Sequence, residues 1–168
     1  MTRANQGKAW ERLLEAWCDR YRVAGMLSWE RGNPPVKVLS AIGPDGRFRA
    51  CWGGDGPPDF GGSFAPNGRA FKFDAKDCDQ NRWPLASLEH HQARDLDRAD
   101  RVGALSFVAL RLQGSCWVLP WASLSKPWSA WYATTGRAAA GTASLSVEDC
   151  DVLGWRMPEP GDWLGALP

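Results

Sequence analysis

The sequence lacks any apolar run long enough to cross a membrane, and its opening stretch, MTRANQGKAWERLLEAW, lacks the apolar core of a signal peptide. Its five cysteines are an odd number and widely spaced, with no C-x-x-C pair, and the only histidines are the adjacent His90 and His91. This pattern disfavours both a zinc site and a disulfide framework. We therefore expect a cytoplasmic protein with no membrane partner.

The sequence also lacks internal repeats and any composition shift that would mark a domain boundary. Its 168 residues, of which 44% are hydrophobic and 23% are charged, are enough to build one core without a metal or a disulfide. The 11 tryptophans are predicted to lie mostly in that core or in interfaces. We predict a single domain that spans residues 1–168.

The net charge of +1 hides an asymmetry along the chain. Residues 1–49 contain nine lysines and arginines against five acids, a net +4, whereas residues 138–168 contain one arginine against five acids, a net −4. A basic N-terminal third is suited to contact with a polyanion such as DNA. A solvated basic helix would have the same composition, so the charge alone does not decide between the two.

Apolar residues recur at helical spacing near the N-terminus, from Trp10 to Tyr21, and predict an amphipathic helix over residues 5–22 with Glu11 beside its apolar stripe. A short strand is expected in VAGMLSW. Glycine and proline then dominate residues 32–62, which we interpret as an irregular excursion with one hairpin turn at Asp45-Gly46.

The stretch DFGGSFAPNGRAFKFDAK predicts a β-hairpin, because Asn67-Gly68 is a strong signal for a two-residue turn. A two-residue loop would place Asp59 opposite Lys76, and Asp74 opposite Gly61. Side chains alternate along a strand, so Asp59, Asp74 and Lys76 are expected on one face. The other, buried face would hold Phe71, Phe73 and Ala75.

Pro84 interrupts the chain, and Ser87 is expected to cap a second helix in LEHHQARDLDRAD. Gln92 falls within the apolar stripe of that helix, and a buried amide needs hydrogen-bond partners. Two buried strands are predicted in GALSFVALRL and CWVLPWAS. Residues 126–168 are predicted to form a loop-rich tail with a short helix near VEDCDVL.

The paired carboxylates suit metal-dependent hydrolysis of a phosphodiester. Asp59 and Asp74 supply the oxygen ligands that Mg²⁺ prefers, and Glu11 could complete the shell of a second ion. Lys76 would orient the attacking water or stabilise the charge that develops on the phosphate. An isolated acid-x-Lys triplet is more typical of an exposed ion pair on a strand, so the hypothesis depends on its context, which is Asp59 on the same face, Gln92 in an apolar helix stripe and Glu11 beside the first helix's stripe.

With these motifs in hand, the sequence resembles the RecU family of Holliday junction resolvases. The motifs that carry the resemblance lie in family order over most of residues 5–124 and are NQGKAWERLLE, PDFGG, GRAFKFDAKD, WPLASLEHHQ and GALSFVAL. They match the positions of the family's site at Glu11, Asp59, Asp74, Lys76, His91 and Gln92. Two departures are Gln6, where the family has arginine, and Pro58, where it usually has threonine.

The resemblance implies an α/β fold with a restriction-endonuclease-like core, in which helices flank a mixed central β-sheet. A short projecting stalk or hairpin is expected over residues 37–58. The implied activity is Mg²⁺-dependent resolution of four-way DNA junctions by paired symmetric nicks, with Mn²⁺ as a substitute ion. The implied enzyme is a homodimer that acts in recombination or in phage DNA processing.

The resemblance also implies a role for each site residue. The implied catalytic residues are Glu11, Asp59, Asp74, Lys76 and Gln92, of which Glu11, Asp59 and Asp74 would also bind the metal. The implied DNA-binding residues are Lys8, Lys72, Arg47, Arg49 and His91. Two alternatives stay open: another nuclease with the same core that acts on duplex DNA or DNA ends, and a DNA-binding module without catalysis.

Overall fold

The computed structural model describes residues 3–33, 36–42, 47–52, 56–134 and 144–168. A short 3₁₀ turn, Leu85–Ser87, precedes the second of its α-helices. The helices and strands of these ranges are, in chain order, α1 (Arg3–Val23), β1 (Leu27–Arg31), β2 (Val36–Ile42), β3 (Arg47–Trp52), β4 (Phe60–Phe64), β5 (Ala70–Cys78), β6 (Trp83–Pro84), α2 (His90–Arg101), β7 (Leu105–Leu112), β8 (Ser115–Pro120), α3 (Trp121–Thr134), β9 (Ser144–Leu145), α4 (Val147–Leu153) and β10 (Trp155–Arg156).

A six-stranded sheet with the order β1-β4-β5-β7-β8-β10 forms the centre of the structure. Strands β5 and β7 are parallel, and the other neighbouring pairs are antiparallel, so the sheet is mixed. Helix α1 packs in the core on one face, and helices α2, α3 and α4 contribute to the core on the other. The predicted fold class, α/β with a mixed sheet flanked by helices, is confirmed.

Strand β7 shows how one sheet supplies both cores. Phe107 and Ala109 belong to the core that contains α1, whereas Val108, Leu110 and Leu112 belong to the core that contains α2 and α3. A central strand that is buried on both faces has to be apolar at almost every position, which explains the run LSFVALRL.

Helix α1 has the predicted position and one buried stripe. Trp10, Leu14, Cys18 and Tyr21 are all buried at helical spacing. The indole N–H of Trp10 donates to the carbonyl of Ala109 at 3.1 Å, which ties the helix to the middle of β7. This contact fixes the part of α1 that carries Glu11 relative to the central sheet.

The predicted loop-rich tail is wrong for residues 126–134, which belong to α3 (Trp121–Thr134), and the predicted strand CWVLPWAS ends at Pro120. The buried residues Trp121, Leu124 and Trp128 have helical spacing. Pro127 lies inside the helix, and a proline in the sequence predicts that a helix ends or is interrupted there. The short helix predicted near VEDCDVL is confirmed as α4, whose N-cap is Ser146.

Strands β2 and β3 form a separate two-stranded antiparallel sheet within the region predicted to be irregular. Val36, Val38 and Leu39 on β2 are exposed. The stalk or hairpin predicted over residues 37–58 falls in this region and stays a prediction, since its turn at Asp45-Gly46 lies outside the described residues. No helix in the described part of the chain is long and apolar enough to span a membrane.

Candidate active site

The register between β4 and β5 differs from the predicted one by two residues. Phe60 pairs with Phe73, and the N–H of Phe64 donates to the carbonyl of Arg69 at 2.9 Å. The connecting loop therefore holds the four residues 65–68 instead of two, because Pro66 has no N–H with which to extend the ladder. A shift of two preserves the alternation of side chains, so Asp59 and Asp74 still share a face.

Asp59 lies immediately before β4, and two hydrogen bonds position it. Its backbone carbonyl accepts from the N–H of Gly32 at 2.8 Å, and its Oδ2 accepts from the N–H of Ala75 at 2.9 Å. Only glycine fits at position 32, since a Cβ there would lie 2.0 Å from the carbonyl oxygen of Pro58. The side chain of Asp59 is thereby anchored on β5 beside Asp74.

Asp74 is completely buried, at 0% exposure. Burial raises the pKa of its carboxyl to about 7; the cation of Lys76 opposes this shift and the neighbouring Asp59 adds to it. Asp74 Oδ2 lies 2.7 Å from Lys76 Nζ. The ammonium group of Lys76 therefore compensates the charge of this buried oxygen.

Gln92 satisfies the expectation that an amide in the stripe of α2 needs partners. Its Nε2 donates to Asp74 Oδ1 at 2.9 Å, and its Oε1 accepts from Lys76 Nζ at 2.9 Å and from the N–H of Glu89 at 3.0 Å. Glu89 is the N-cap of α2, so the prediction that Ser87 caps this helix is wrong. The hydroxyl of Ser87 donates instead to the carbonyl of Pro84. One amide thus orients both members of the Asp-x-Lys triplet.

The residues present fit a divalent ion. Within the described ranges no group of three or more His, Cys, Asp or Glu side chains is placed to hold a metal, so Asp59 and Asp74 stand as a pair. Mg²⁺ commonly uses only one or two carboxylates and keeps several waters. The fit rests on the donor set, which is two neighbouring carboxylates on one face of the sheet, one of them buried.

Glu11 lies in a different cluster. Its Oε2 contacts Arg31 Nη2, and Oε1 of Glu15 contacts Arg31 Nη1. The described residues therefore do not gather Glu11 with Asp59 and Asp74, and its role as a metal ligand stays a prediction. Sequence reasoning missed Arg31, because the contact joins α1 to the end of β1 and no local motif marks it.

The residues predicted to bind DNA are dispersed over several elements. Lys8 on α1 and Arg49 on β3 are exposed, and Lys72 is half-buried on the same face of β5 as Asp74. His91 Nδ1 lies 3.3 Å from Glu89 Oε2 at the start of α2. The side chain of Arg47 lies outside the described residues.

A cleft of about 310 Å³ opens beside the Asp74-x-Lys76 triplet. Its lining includes Lys76, Asp77, Asp79 and Trp83. Both carboxylate oxygens of Asp77 accept hydrogen bonds from Arg111, with Nε donating to Oδ1 at 2.8 Å. Asp77 is therefore engaged in a structural ion pair with Arg111.

The mixed sheet presents Asp59, Asp74 and Lys76 on one face, the arrangement that the sequence predicts for a metal-dependent nuclease. The family described as Recombination protein U, or RecU, matches residues 5–148. The chain belongs to this family, and the enzyme class that the sequence predicted, a Holliday junction resolvase, is confirmed.

A comparison with curated proteins finds no significant match. Among solved structures the chain is similar to Hjc, a Holliday junction resolvase from the archaeal hyperthermophile Archaeoglobus fulgidus. The two share 14% sequence identity at a TM-score of 0.46, over 85% of this chain and 92% of that chain. The family assignment rests on the RecU match and not on this distant likeness.

Proposed function

We propose that this protein is a Mg²⁺-dependent, structure-selective endonuclease that resolves four-way DNA junctions by paired symmetric nicks. The observation that carries the proposal is the buried carboxylate of Asp74, which lies beside Asp59 and contacts both Lys76 and Gln92. A buried carboxylate beside a second acid and a lysine is costly for stability alone, and such perturbed groups cluster at functional sites.

Asp59 and Asp74 would hold the ion, and Glu11 remains a candidate for a further ligand. When bound, the metal supplies a water of lowered pKa and neutralises charge on the scissile phosphate. Lys76 keeps its ammonium group beside the reaction site, since Gln92 Oε1 holds its Nζ at 2.9 Å. From there Lys76 can donate a hydrogen bond to the attacking water or to a phosphate oxygen.

We also propose that the protein is a homodimer, and we propose its DNA contacts and its cellular location. Two copies of this single domain, related by a two-fold axis, would place two sites on strands of like polarity in a junction of matching symmetry. Lys8, Lys72, Arg47, Arg49 and His91 would contact the DNA. We assign the enzyme to the cytoplasm of a bacterial cell or of a phage-infected host, in recombination or phage DNA processing, with Mn²⁺ as a substitute for Mg²⁺.

The deciding experiment incubates purified protein with an end-labelled four-way junction and with a linear duplex of the same sequence, each with and without Mg²⁺. We expect cutting of the junction only with Mg²⁺, at positions related by the two-fold symmetry of the junction. Preferential cutting of the duplex would favour another nuclease of this class. Tight junction binding with no cutting in Mg²⁺ or Mn²⁺ would favour a DNA-binding module without catalysis.

A further inference from the structure

Arg31, at the end of β1, lies between two carboxylates on α1. Glu11 and Glu15 are four residues apart on the helix and therefore on the same face. One guanidinium group contacts both of them, so this cluster carries a net negative charge. The side chains of Arg31, Glu11 and Glu15 are 39%, 24% and 28% exposed, so solvent and ions reach the cluster.

Arg31 also lines a cleft of about 250 Å³ whose lining includes Pro58, the residue before Asp59. Gly61 leaves this cleft open, since a Cβ there would come no closer than 3.8 Å to the carbonyl oxygen of Phe71. Glu30 and Lys72 also contribute to the lining. Both pair with Gly61 and so lie on the opposite face of the sheet from Arg31, which pairs with Phe60.

The position of Arg31 relative to Asp59 follows from one backbone hydrogen bond. The N–H of Gly32, the residue after Arg31, donates to the carbonyl of Asp59 at 2.8 Å. A DNA strand whose scissile phosphate lies at Asp59 and Asp74 would therefore send a neighbouring phosphate towards Arg31.

We propose that this cleft binds the backbone phosphate next to the scissile one, with Arg31 as its ligand, and that this phosphate competes with Glu11 and Glu15 for the Arg31 guanidinium. The inference rests on the proposed function and names a DNA contact within it. Partly exposed ion pairs contribute little to stability, whereas arginine and phosphate form charge-assisted, bidentate hydrogen bonds. The exchange of partners is therefore favourable once DNA is bound.

The exchange has a consequence for Glu11. In the free protein its carboxylate is held by Arg31. After the exchange, Glu11 no longer contacts the guanidinium of Arg31. This matters because Glu11 is the third acid that the sequence predicts as a metal ligand. DNA binding would thus make the third carboxylate available on the side of α1 that faces Arg31.

The first test measures junction binding without divalent metal at several salt concentrations. Arg31→Gln is expected to weaken binding at low salt and to reduce the slope of log affinity against log salt by about 1, since one phosphate contact is lost. Arg22→Gln is the matched control, because Arg22 is also paired with an acid on α1, Asp19 at 2.9 Å. An Arg31→Gln slope equal to that of Arg22→Gln and the unmodified protein would overturn the proposal.

The second test removes a competitor instead of a ligand. Glu15→Gln is expected to tighten junction binding roughly 2–5-fold beyond the effect of Asp19→Asn, because an exposed pair no longer holds Arg31. Asp19→Asn removes the same charge from the same helix and so controls for simple repulsion. Equal effects of the two substitutions would show that Glu15 does not compete with DNA for Arg31.

These measurements separate this inference from the proposed function. Neither test needs cleavage, and thermal unfolding of each variant shows whether its fold is retained. A protein that never cuts a junction would refute the proposed function, even if Arg31→Gln changes the salt slope. A protein that cuts junctions with Mg²⁺ but keeps the same salt slope in Arg31→Gln would refute only the phosphate site.

Discussion

Gln92 Nε2 donates a hydrogen bond of 2.9 Å to Asp74 Oδ1, and through it helix α2 orients a buried carboxylate on strand β5. The same amide accepts from Lys76 Nζ through its oxygen. These two hydrogen bonds determine the orientation of the amide, since its nitrogen faces the carboxylate of Asp74 and its oxygen faces the ammonium group of Lys76. Because Glu89 N–H also donates to that oxygen, the start of α2 is part of the support of the site.

Gln92→Leu tests whether this support matters for catalysis. Leucine keeps the apolar stripe of α2 but leaves Asp74 and Lys76 without their shared partner. We expect Mg²⁺-dependent junction cleavage to fall by about 10–100-fold, as for other residues that orient metal ligands, with junction binding nearly unchanged. Cleavage rates under single-turnover conditions and a binding titration without metal provide the measurement.

The matched control for Gln92→Leu lies on the same helix. Asp95→Asn removes the ion pairs to Arg94 and Arg98, which are on the surface of α2 and away from Asp74. It should leave cleavage within about 2-fold of the unmodified protein, since exposed ion pairs contribute little. If both substitutions reduce cleavage equally, the stability of α2 and not the amide of Gln92 is responsible.

Asp74→Asn tests the carboxylate itself. The amide keeps the size of the side chain but cannot bind a cation as the carboxylate does. We expect cleavage to fall by more than about 100-fold, beyond the effect of a supporting residue, while junction binding is retained. Glu159→Gln, which makes the same acid-to-amide change at an exposed position after β10, is the control. Unchanged cleavage in Asp74→Asn would remove Asp74 from the site.

The raised pKa of Asp74 predicts how stability depends on pH in the absence of metal. Its folded pKa of about 7 lies above the ordinary value of 3.8, so the native state keeps a proton that the unfolded chain releases. The contribution of this group to the free energy of unfolding is therefore complete below about pH 4 and is lost as the pH rises through about 7. Urea unfolding in EDTA at pH 5 and pH 8 should show this loss.

Asp74→Asn is also the control for the pH effect, because every other titratable group remains in the variant. The difference in stability between pH 5 and pH 8 should be smaller in the variant than in the unmodified protein. Added Mg²⁺ should oppose the loss at pH 8, since the ion binds the ionised carboxylate. Identical pH profiles for the two proteins would contradict the raised pKa.

The parts of the site that the sequence predicts are those that depend on local periodicity. Asp59 and Asp74 share a face under the predicted register and under the observed one, because the two differ by an even number of residues. The loop length itself was not predictable from Asn67-Gly68, since the missing N–H of Pro66 changed where the ladder ends. Gln92 was found as an amide out of place in an apolar stripe, and its partners explain it.

The parts that the sequence does not predict depend on contacts between distant segments. Helix α3 was missed because Pro127 lies inside it and disfavours a helix locally. Packing of the helix against α2 and the sheet overrides this local preference. The pair of Arg31 with Glu11 joins two elements that have no common motif. The C-terminal segment, residues 157–168, was predicted as part of the loop-rich tail, since its one tryptophan, Trp163, gives no periodic signal.

Trp163 in that segment is predicted to be essential for stability, although it lies beyond the family match at residues 5–148. It is completely buried and packs against Phe71, Phe73 and Phe107, with ring centroids 5.2, 5.3 and 5.4 Å away. Trp163→Ala should lower the free energy of unfolding by about 3–5 kcal/mol, the usual cost of removing a buried indole. Val152→Ala, at a position 85% exposed on α4, should change it by less than about 0.5 kcal/mol. Urea unfolding measures both, and a Trp163→Ala variant as stable as Val152→Ala would show that the C-terminal segment is not part of the core.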